Sequence, residues 1–349
     1  MIKVLQALPS LDQGGVEHFV VSVVPRLKSY GVDSTVVSAG GELIQEIERS
    51  GVRHVTMDIK SKSVRTLLRI RDLRILIKRE RFDLVHAHSR VPGWLLYFAS
   101  MGLCPFVFSP HGQYRNHLGS SVVRLAPHLI VGAHFVQRYF QGFGIPEERF
   151  LMAPYGIDTG LFEPASAGKT GFVPAIGAAG RLSSVKGFDV LIQALSALKA
   201  EGHDFKARIA GSGDDEEKLK RMSSDHGLDG ILSFCGPVSN MREFYRSIDL
   251  LVISSRREGL PLVLLEAMSC GLPAVGTTVG DIPLVIEEGR SGMLAAPDDA
   301  MALAGALRGM LARRNEWQAM GERGREFIRQ QHDLSLTVKS LAEAYRLIL

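Results

Sequence analysis

Short apolar runs alternate with longer amphipathic stretches along the first half of the chain. The apolar runs are continuous, which is the pattern of parallel strands that are covered on both faces of a sheet. Because strands and helices alternate, the pattern predicts βαβ units. The predicted strands cover residues 3–8, 34–39, 54–57, 84–87, 106–109, 129–131 and 150–153, and the clearest helical stretches cover 16–30, 64–81 and 133–143.

The same alternation restarts after residues 158–169, a segment rich in Gly, Pro, Ala and Ser that is the best candidate for a linker. Further strands are predicted at 174–178, 207–210, 231–235, 250–254, 274–276 and 293–294, further helices at 187–201, 215–226, 241–247, 262–269 and 282–288, and an almost wholly helical tail from 299. The predicted fold class is therefore α/β, with two Rossmann-like doubly wound domains, 1–160 and 170–333, facing a central cleft. Ligands in such sheets bind beyond the carboxyl ends of the strands, so we expect the active site in that cleft.

Composition narrows the class of protein. The 349 residues are 46% hydrophobic and 22% charged, as in a globular protein with a large core. The net charge of +4 is too small to indicate nucleic acid by itself. The 3 cysteines form no C-x-x-C pair and indicate a reducing compartment. No apolar run approaches the ~20 residues of a membrane span, and the N-terminus reads as a strand. We expect a cytoplasmic protein, or one on the membrane surface.

The strongest chemical signal lies between residues 257 and 273, where a predicted strand, a turn and a helix follow one another. Pro261 suits the first position of that helix, and a helix N-terminus favours phosphate. Glu258 precedes the free N–H groups of the helix, and Glu266 lies about one turn inside it. A carboxylate therefore lies at each end of this anion-binding turn, where it could accept hydrogen bonds from sugar hydroxyls. This arrangement favours a nucleotide-sugar. Two surface glutamates are the alternative, which the apolar neighbours of Glu266 disfavour, because a buried charge needs a partner.

Two cations occupy the turn after the first strand of the second domain. Arg181 follows Gly180, and Lys186 opens the next helix, so together they could clamp a diphosphate. Two solvated surface cations are the alternative. Gly14 and Gly15 occupy the corresponding turn of the first domain, where they either admit a ligand or form an ordinary turn.

Two weaker signals follow later strands of the second domain. Residues 211–214 (GSGD) predict a tight turn lining the cleft, without the complete dinucleotide fingerprint. Val238 follows Gly236 on the same rim, where backbone groups could meet a base.

Histidines cluster in the first domain. His86 and His88 end one strand, and His111 follows the next strand. These three side chains could ligate a metal ion, which would indicate a metal-dependent hydrolase. No further Asp and His cluster follows, and the chain contains no D-x-D triplet for a metal-bound diphosphate. His111, between Pro110 and Gly112, is better placed to face the cleft, although a satisfied structural histidine is an equal alternative.

The helical stretch 64–81 is strongly basic. Its only acidic residues are Asp72 and Glu80, and such a helix can rest on anionic lipid. Its apolar residues fall on two sides of a helical wheel, so a packed helix with solvated cations is at least as favoured. The cations are Arg65, Arg69, Arg71, Arg74, Lys78, Arg79 and Arg81.

Taken together, these motifs resemble the retaining family 4 glycosyltransferases of the GT-B fold, and the resemblance covers essentially the whole chain. Glu258 and Glu266 match that family's E-x7-E motif. The other matching positions are Arg181 with Lys186, Gly14 with Gly15, His111 with Gly112, and residues 155–158 (YGID). Tyr155 stands where the family often has Asn, which is not expected to alter an essential role.

The resemblance implies a role for each matched residue. Glu258 would contact donor-sugar hydroxyls near the reacting centre, Glu266 the ribose hydroxyls, and His111 the sugar from the opposite domain. Arg181 and Lys186 would bind the diphosphate, and the backbone of Gly259, Leu260, Pro261, Leu262 and Val263 would serve the phosphate and sugar. The last helix, about 334–349, would pack back on the first domain.

The leading hypothesis is a retaining hexosyltransferase that needs no metal or other cofactor. It would move a sugar from a nucleotide-sugar donor to a glycan or lipid-linked glycan acceptor of the cell envelope, such as a lipopolysaccharide, capsule or exopolysaccharide. A nucleotide-sugar epimerase on the same fold, the metal-dependent hydrolase and a non-catalytic sugar-binding module are the alternatives.

Overall fold

The structure is a computed structural model that describes residues 1–12, 14–61, 63–114, 121–164 and 173–349. The chain divides into two compact units, one of Met1–Tyr155 with Leu334–Leu349 and one of Gly156–Asp333. The sequence predicts the domain boundaries at 160 and 170, and residues 165–169 of the predicted linker lie outside the described residues.

Thirteen strands are present in the described part of the chain, at the positions that the apolar runs predict to within about two residues. They are β1 (Ile2–Ala7), β2 (Val32–Ser38), β3 (Arg53–Thr56), β4 (Leu84–Ala87), β5 (Phe106–Phe108), β6 (His128–Val131), β7 (Phe150–Met152), β8 (Ala175–Ala179), β9 (Lys206–Ala210), β10 (Leu232–Gly236), β11 (Leu250–Ile253), β12 (Ala274–Thr277) and β13 (Gly292–Ala295).

Helices connect these strands. They are α1 (Gly15–Val23), α2 (Ile44–Arg49), α3 (Val64–Leu67), α4 (Arg69–Glu80), α5 (Arg90–Ser100), α6 (Val122–Leu125), α7 (His134–Gln141), α8 (Phe188–Ala200), α9 (Glu216–Asp225), α10 (Met241–Arg246), α11 (Leu262–Ser269), α12 (Ile282–Val285), α13 (Ala300–Ala312), α14 (Trp317–Gln331) and α15 (Leu334–Ile348). The helical tail is confirmed, and α15 belongs to the first unit.

Each unit is built on one parallel sheet. The strand order is β3-β2-β1-β4-β5-β6-β7 in the first unit and β10-β9-β8-β11-β12-β13 in the second. The strand order reverses between β1 and β4 and between β8 and β11, and the crevice at such a switch point is where these sheets bind ligands. The predicted class of two doubly wound domains is confirmed.

The strands are buried as the continuous apolar runs predict. Every residue of β4, β11 and β12 is buried, because helices cover both faces of each sheet. In the second unit, helices α8 and α13 contribute Leu191, Leu195 and Leu307 to a core shared with β8 and β11. This packing holds the strand ends, and the loops that follow them, in fixed positions.

Two predicted helices are interrupted. The stretch 16–30 is α1 followed by a 3-10 helix, Val24–Tyr30, because Pro25 lacks an N–H and obstructs continuation of the α-helix. The stretch 64–81 is α3 and α4, separated at Leu68. Helix α5 is not predicted from the sequence, because Pro92 and Gly93 in its first turn are typical of a turn.

Packing between α11 and α14 depends on one glycine, and this yields a stability prediction. A Cβ on Gly321 of α14 would lie 1.9 Å from the carbonyl oxygen of Gly271, whereas a Cβ on Gly305 of α13 would meet nothing within 4 Å. We expect Gly321→Ala to lower the free energy of unfolding by about 1–3 kcal/mol. Gly305→Ala is the matched control and should raise it by up to about 1 kcal/mol, since alanine is the better helix former. Chemical denaturation measures both, and equal effects would contradict the packing argument.

Candidate functional site

Two oppositely charged side chains meet at the switch point of the second unit. Lys186 follows β8 and Glu258 follows β11, and the Lys186 ammonium lies 2.5 Å from Oε1 of Glu258. The hydroxyl of Ser255 donates to the same oxygen at 2.8 Å. The side chains are only 25% and 13% exposed. With Phe188 and Val263 they line a small pocket, so the charges are partly shielded from water.

The loop that carries Lys186 lies directly on the end of β11. Gly187 has φ +63°, and a Cβ at this position would lie 2.1 Å from the carbonyl oxygen of Ser254. The hydroxyl of Ser254 donates in turn to the carbonyl oxygen of Lys186 at 3.0 Å. Only glycine allows this approach, and the approach places the ammonium beside Glu258.

Arg256 joins the two loops and is not among the residues predicted from the sequence. Its guanidinium donates to both carboxylate oxygens of Asp189 at 2.8 Å, to Asp298 at 2.7 Å and to the carbonyl oxygen of Ser184 at 2.7 Å. Its backbone N–H donates to Val185. The hydrogen bond from Arg256 lowers the pKa of Asp189, and that bond also raises the pKa of Arg256. No motif in the chain marks this contact, because its partners are distant in sequence.

Helix α11 covers the predicted residues 262–269, but Pro261 is not its first helical residue. Pro261 is the N-cap, with extended backbone (φ −74°, ψ 122°), and Leu262 is the first helical residue. Gly280 has φ +61° and packs against the carbonyl oxygen of Gly259, which also accepts from the N–H of Asp281 at 2.8 Å. The first turn of α11 contains no acidic residue, so its N–H groups and partial positive charge favour an anion.

Glu266 has the partner that its apolar surroundings require. The hydroxyl of Tyr245, on α10, donates to its Oε2 at 2.6 Å, and Tyr245 is fully buried. Burial raises the pKa of Glu266, while the hydrogen bond from Tyr245 opposes the shift. The side chain remains partly exposed. The apolar neighbours of Glu266 mark it in the sequence, whereas no local pattern marks Tyr245 as its partner.

The remaining second-unit residues lie on the same edge of the sheet. Arg181 is exposed, and in the described ranges its side chain makes no ion pair with the Lys186–Glu258 pair. Gly211 begins the 211–214 turn, and a Cβ on Gly211 would lie 2.0 Å from the carbonyl oxygen of Gly180. This turn therefore packs directly against the backbone of Gly180, the residue before Arg181. Val238 follows β10 and is half-buried, and Leu260, two residues after Glu258, is buried.

A chain of buried polar side chains occupies the switch point of the first unit. His86, on β4, bonds through Nδ1 to the hydroxyl of Tyr345 at 2.7 Å and through Nε2 to Ser109 at 2.7 Å. Tyr345 lies on α15 and accepts from the amide nitrogen of Gln6, on β1, at 2.9 Å. The last helix is therefore tied to the strands on both sides of this switch point.

The same chain continues to the second pair of histidines. The amide oxygen of Gln6 lies 2.9 Å from Nε2 of His88, and Nδ1 of His88 lies 3.1 Å from Nε2 of His111. Nδ1 of His111 lies 2.7 Å from the hydroxyl of Tyr155. We call the series Ser109, His86, Tyr345, Gln6, His88, His111 and Tyr155 the histidine chain.

Burial keeps these histidines neutral. It lowers the pKa of His86 to about 3 and that of His111 to about 4, and it lowers the pKa of His88 well below the usual value. Each ring nitrogen bonds to another protein group, and in the described part of the chain no three His, Cys, Asp or Glu side chains could hold a metal ion. The metal-hydrolase reading thus gains no support from this cluster.

The two first-unit glycines lie at the start of α1. Gly15, and not Val16, is the first helical residue, and a Cβ on it would meet nothing within 4 Å. Gly14 is the N-cap in extended conformation, and a Cβ there would lie 2.3 Å from the carboxylate of Glu17. The N-terminus of α1 therefore already has a carboxylate beside it.

Two family models match the chain. "Glycosyltransferase Family 4" matches residues 13–161 and "Glycosyl transferases group 1" matches residues 164–327. The first match falls on the first unit and the second on the second unit. Together with the relatives below, they support a glycosyltransferase of the GT-B fold.

Similar proteins carry related names. WcaL of Salmonella typhimurium, named as a colanic acid biosynthesis glycosyltransferase, is 31% identical over 175 residues, which are 48% of this chain and 43% of WcaL. The chain thus spans less than half the length of that relative. A D-inositol 3-phosphate glycosyltransferase of Geodermatophilus obscurus is 26% identical over 387 positions, covering 96% of this chain and 85% of the relative.

A solved structure has the same fold over the whole chain. Anabaena HepE in complex with UDP-glucose superposes with a TM-score of 0.86 at 19% identity, covering 99% of this chain and 100% of HepE. At this identity the likeness establishes the fold alone.

The neutral histidine chain predicts acid sensitivity. The folded-state pKa values of His86 and His111 lie below the ordinary 6.5, so the unfolded state binds more protons once the pH falls below about 6.5. Stability should fall as the pH decreases from 6.5 toward 4, by about 2 kcal/mol per histidine at pH 5. Denaturant titrations at pH 7 and pH 5 measure this loss.

A matched pair of variants isolates the cause. His86→Gln removes a titrating ring from the chain and should reduce the pH dependence, whereas His226→Gln, at an exposed position, should leave it unchanged. An equal pH dependence in the wild type and both variants would contradict the assignment.

Proposed function

We propose that the chain is a retaining glycosyltransferase that moves a hexosyl group from a nucleotide-sugar to a glycan acceptor of the cell envelope, without an essential metal. The observation that carries this proposal is the Lys186–Glu258 ion pair at the switch point of the second unit, beside the N-terminus of α11. A cation, a helix N-terminus and a carboxylate at one strand edge suit a ligand with a diphosphate at one end and hydroxyls at the other.

The ion pair would be exchanged when the donor binds. Lys186 would move from Glu258 to the diphosphate, and Glu258 would then accept hydrogen bonds from sugar hydroxyls. Negative charge grows on the leaving diphosphate while the sugar becomes oxocarbenium-like. Lys186, Arg181 and the first N–H groups of α11 would stabilise that charge, so the protein itself supplies the electrostatic catalysis.

Other residues would position the donor. Glu266, held by Tyr245, would accept hydrogen bonds from ribose hydroxyls, and Val238 lies on the rim where a base could rest. The N–H groups of Gly259 and of residues 262–263 would serve the phosphate, whereas Pro261 has no N–H to contribute.

The first unit supplies the remaining proposed contacts. Gly14 and Gly15 are proposed to adjoin the donor phosphate and His111 the donor sugar, in keeping with the resemblance to retaining enzymes. His111 is neutral near pH 7, with a pKa of about 4, so its contribution would be a hydrogen bond and not a proton transfer. In a retaining mechanism of this kind the acceptor hydroxyl attacks on the face of the leaving group and the phosphate receives its proton.

The names of the relatives support a role in envelope glycan synthesis. WcaL is named for colanic acid biosynthesis, and the HepE structure contains UDP-glucose. We propose a nucleoside diphosphate hexose as donor and a lipopolysaccharide, capsule or exopolysaccharide intermediate as acceptor. The reaction would take place in the cytoplasm or on the cytoplasmic face of the membrane, where such donors are made.

The role of the ion pair can be tested by substitution. A thermal-shift screen of nucleotide-sugars first identifies a binding donor, because that donor raises the melting temperature by mass action. With it, Lys186→Met and Glu258→Gln should each lower kcat by about 10²–10³-fold, since each removes a group aimed at the reacting centre. Arg257→Ala, an exposed cation adjacent to Glu258, is the matched control and should retain activity.

The products decide between this proposal and its alternatives. Release of nucleoside diphosphate that depends on acceptor, with the donor's anomeric configuration kept in the product, would support retaining transfer. An inverted product would refute the retaining mechanism, a new epimer from donor alone would indicate an epimerase, and loss of activity on chelation would refute metal independence. Full activity of Lys186→Met would show that the reaction does not need Lys186 to bind the diphosphate.

We also propose that the surface of α3 and α4 rests on anionic lipid. Leu67, Leu68 and Ile75 are 59%, 70% and 52% exposed, and the cations Arg71 and Lys78 are exposed on the same pair of helices. This surface combines apolar and basic side chains, the pattern of an interfacial helix. No helix in the described ranges is long and apolar enough to cross a bilayer.

Vesicle sedimentation tests the lipid contact. The double variant Arg71→Glu/Lys78→Glu should bind vesicles containing phosphatidylglycerol at least about tenfold more weakly, since each basic residue near such a surface contributes ~1 kcal/mol. Lys218→Glu on α9, an exposed cation of the second unit, is the control and should bind as the wild type does. Equal binding by all three, or binding to neutral vesicles alone, would refute the proposal.

A further inference from the structure

The direction of the hydrogen bonds in the histidine chain is decided at Gln6. The amide nitrogen of Gln6 donates to the hydroxyl of Tyr345 at 2.9 Å, so its amide oxygen faces Nε2 of His88, also at 2.9 Å. An amide oxygen can only accept a hydrogen bond. Nε2 of His88 must therefore carry the proton.

This proton determines the state of the next ring. A neutral imidazole has one N–H, so Nδ1 of His88 is an acceptor. That nitrogen lies 3.1 Å from Nε2 of His111, and a hydrogen bond between them requires the proton on His111. Nδ1 of His111 is then an acceptor as well, and the hydroxyl of Tyr155 donates to it at 2.7 Å.

We propose that Gln6 is a positioning residue that holds His111 in the Nε2–H tautomer, acting through His88. Gln6 does not contact His111 itself, and its influence depends on the fixed sequence of donor and acceptor along the chain. The hydroxyls of Tyr345 and Tyr155 can donate or accept, and each ring can take either tautomer, so the direction is set by Gln6, whose amide donor faces Tyr345 and whose amide acceptor faces His88.

The tautomer limits what His111 can do. Its Nε2–H is used by His88, so the ring presents only an acceptor nitrogen to any further group. A sugar hydroxyl that displaced Tyr155 would have to donate to Nδ1. This consequence for the donor sugar rests on the proposed function, but the tautomer itself does not.

Nuclear magnetic resonance can measure the tautomer without a donor or an activity assay. Long-range ¹H–¹⁵N correlation spectra of the full-length protein labelled with ¹⁵N-histidine, recorded at pH 7, distinguish a protonated from an unprotonated ring nitrogen. The His111→Gln variant assigns the signals of His111. In the wild type we expect His111 to have a protonated Nε2 and an unprotonated Nδ1. An Nδ1–H tautomer would overturn the proposal, because it would require the reverse direction at Gln6.

Variants separate Gln6 from the other members of the chain. Gln6→Leu, folded as judged by its cooperative thermal transition, should give His111 a mixture of both tautomers. Tyr155→Phe and Ser109→Ala remove hydroxyls at the two ends and should keep the wild-type tautomer. An unchanged tautomer in folded Gln6→Leu, or a tautomer that changes in Tyr155→Phe, would show that Gln6 is not the controlling residue. The wild-type spectrum tests the proposal even if Gln6→Leu does not fold.

Discussion

The ion pair between Lys186 and Glu258 is the interaction on which the candidate site depends, and it exists because of strand order. Lys186 and Glu258 are far apart in sequence, and they meet only because β8 and β11 are neighbours in the sheet. Arg256 then joins the two loops through Asp189 and Asp298, and Gly187 allows their close approach. A partly shielded pair of opposite charges attracts strongly, and a charged ligand can exchange with it.

The two units have the same sheet topology, but charged side chains lie at the switch point of one and neutral side chains at the switch point of the other. The second unit places charges at its switch point and opens a helix N-terminus toward them. The first unit fills its switch point with the neutral histidine chain, in which each ring nitrogen of the three histidines has a partner. Burial prevents these rings from charging, and the hydrogen bonds to Tyr345 connect β1 and β4 to α15. The same sheet geometry thus places an ion pair at one switch point and an uncharged hydrogen-bonded network at the other.

Local rules explain which predictions the structure confirms. Continuous apolar runs identified the strands, and α11 covers the predicted 262–269. The errors are local too: Pro261 is an N-cap, and Pro25 ends α1 early. Tyr155, which stands where the resembling family often has Asn, bonds through its hydroxyl to His111.

The sequence by itself determined the doubly wound class, the positions of the strands and the residue types that follow them, because these depend on periodicity and turn chemistry within a few residues. It also marked Glu258, Glu266 and Lys186 as candidates. Only the tertiary structure decided their partners: Tyr245 for Glu266, Arg256 for the Lys186 loop and Gln6 for the histidines. Such contacts join residues tens to hundreds of positions apart, and their geometry follows from packing, which no local pattern records.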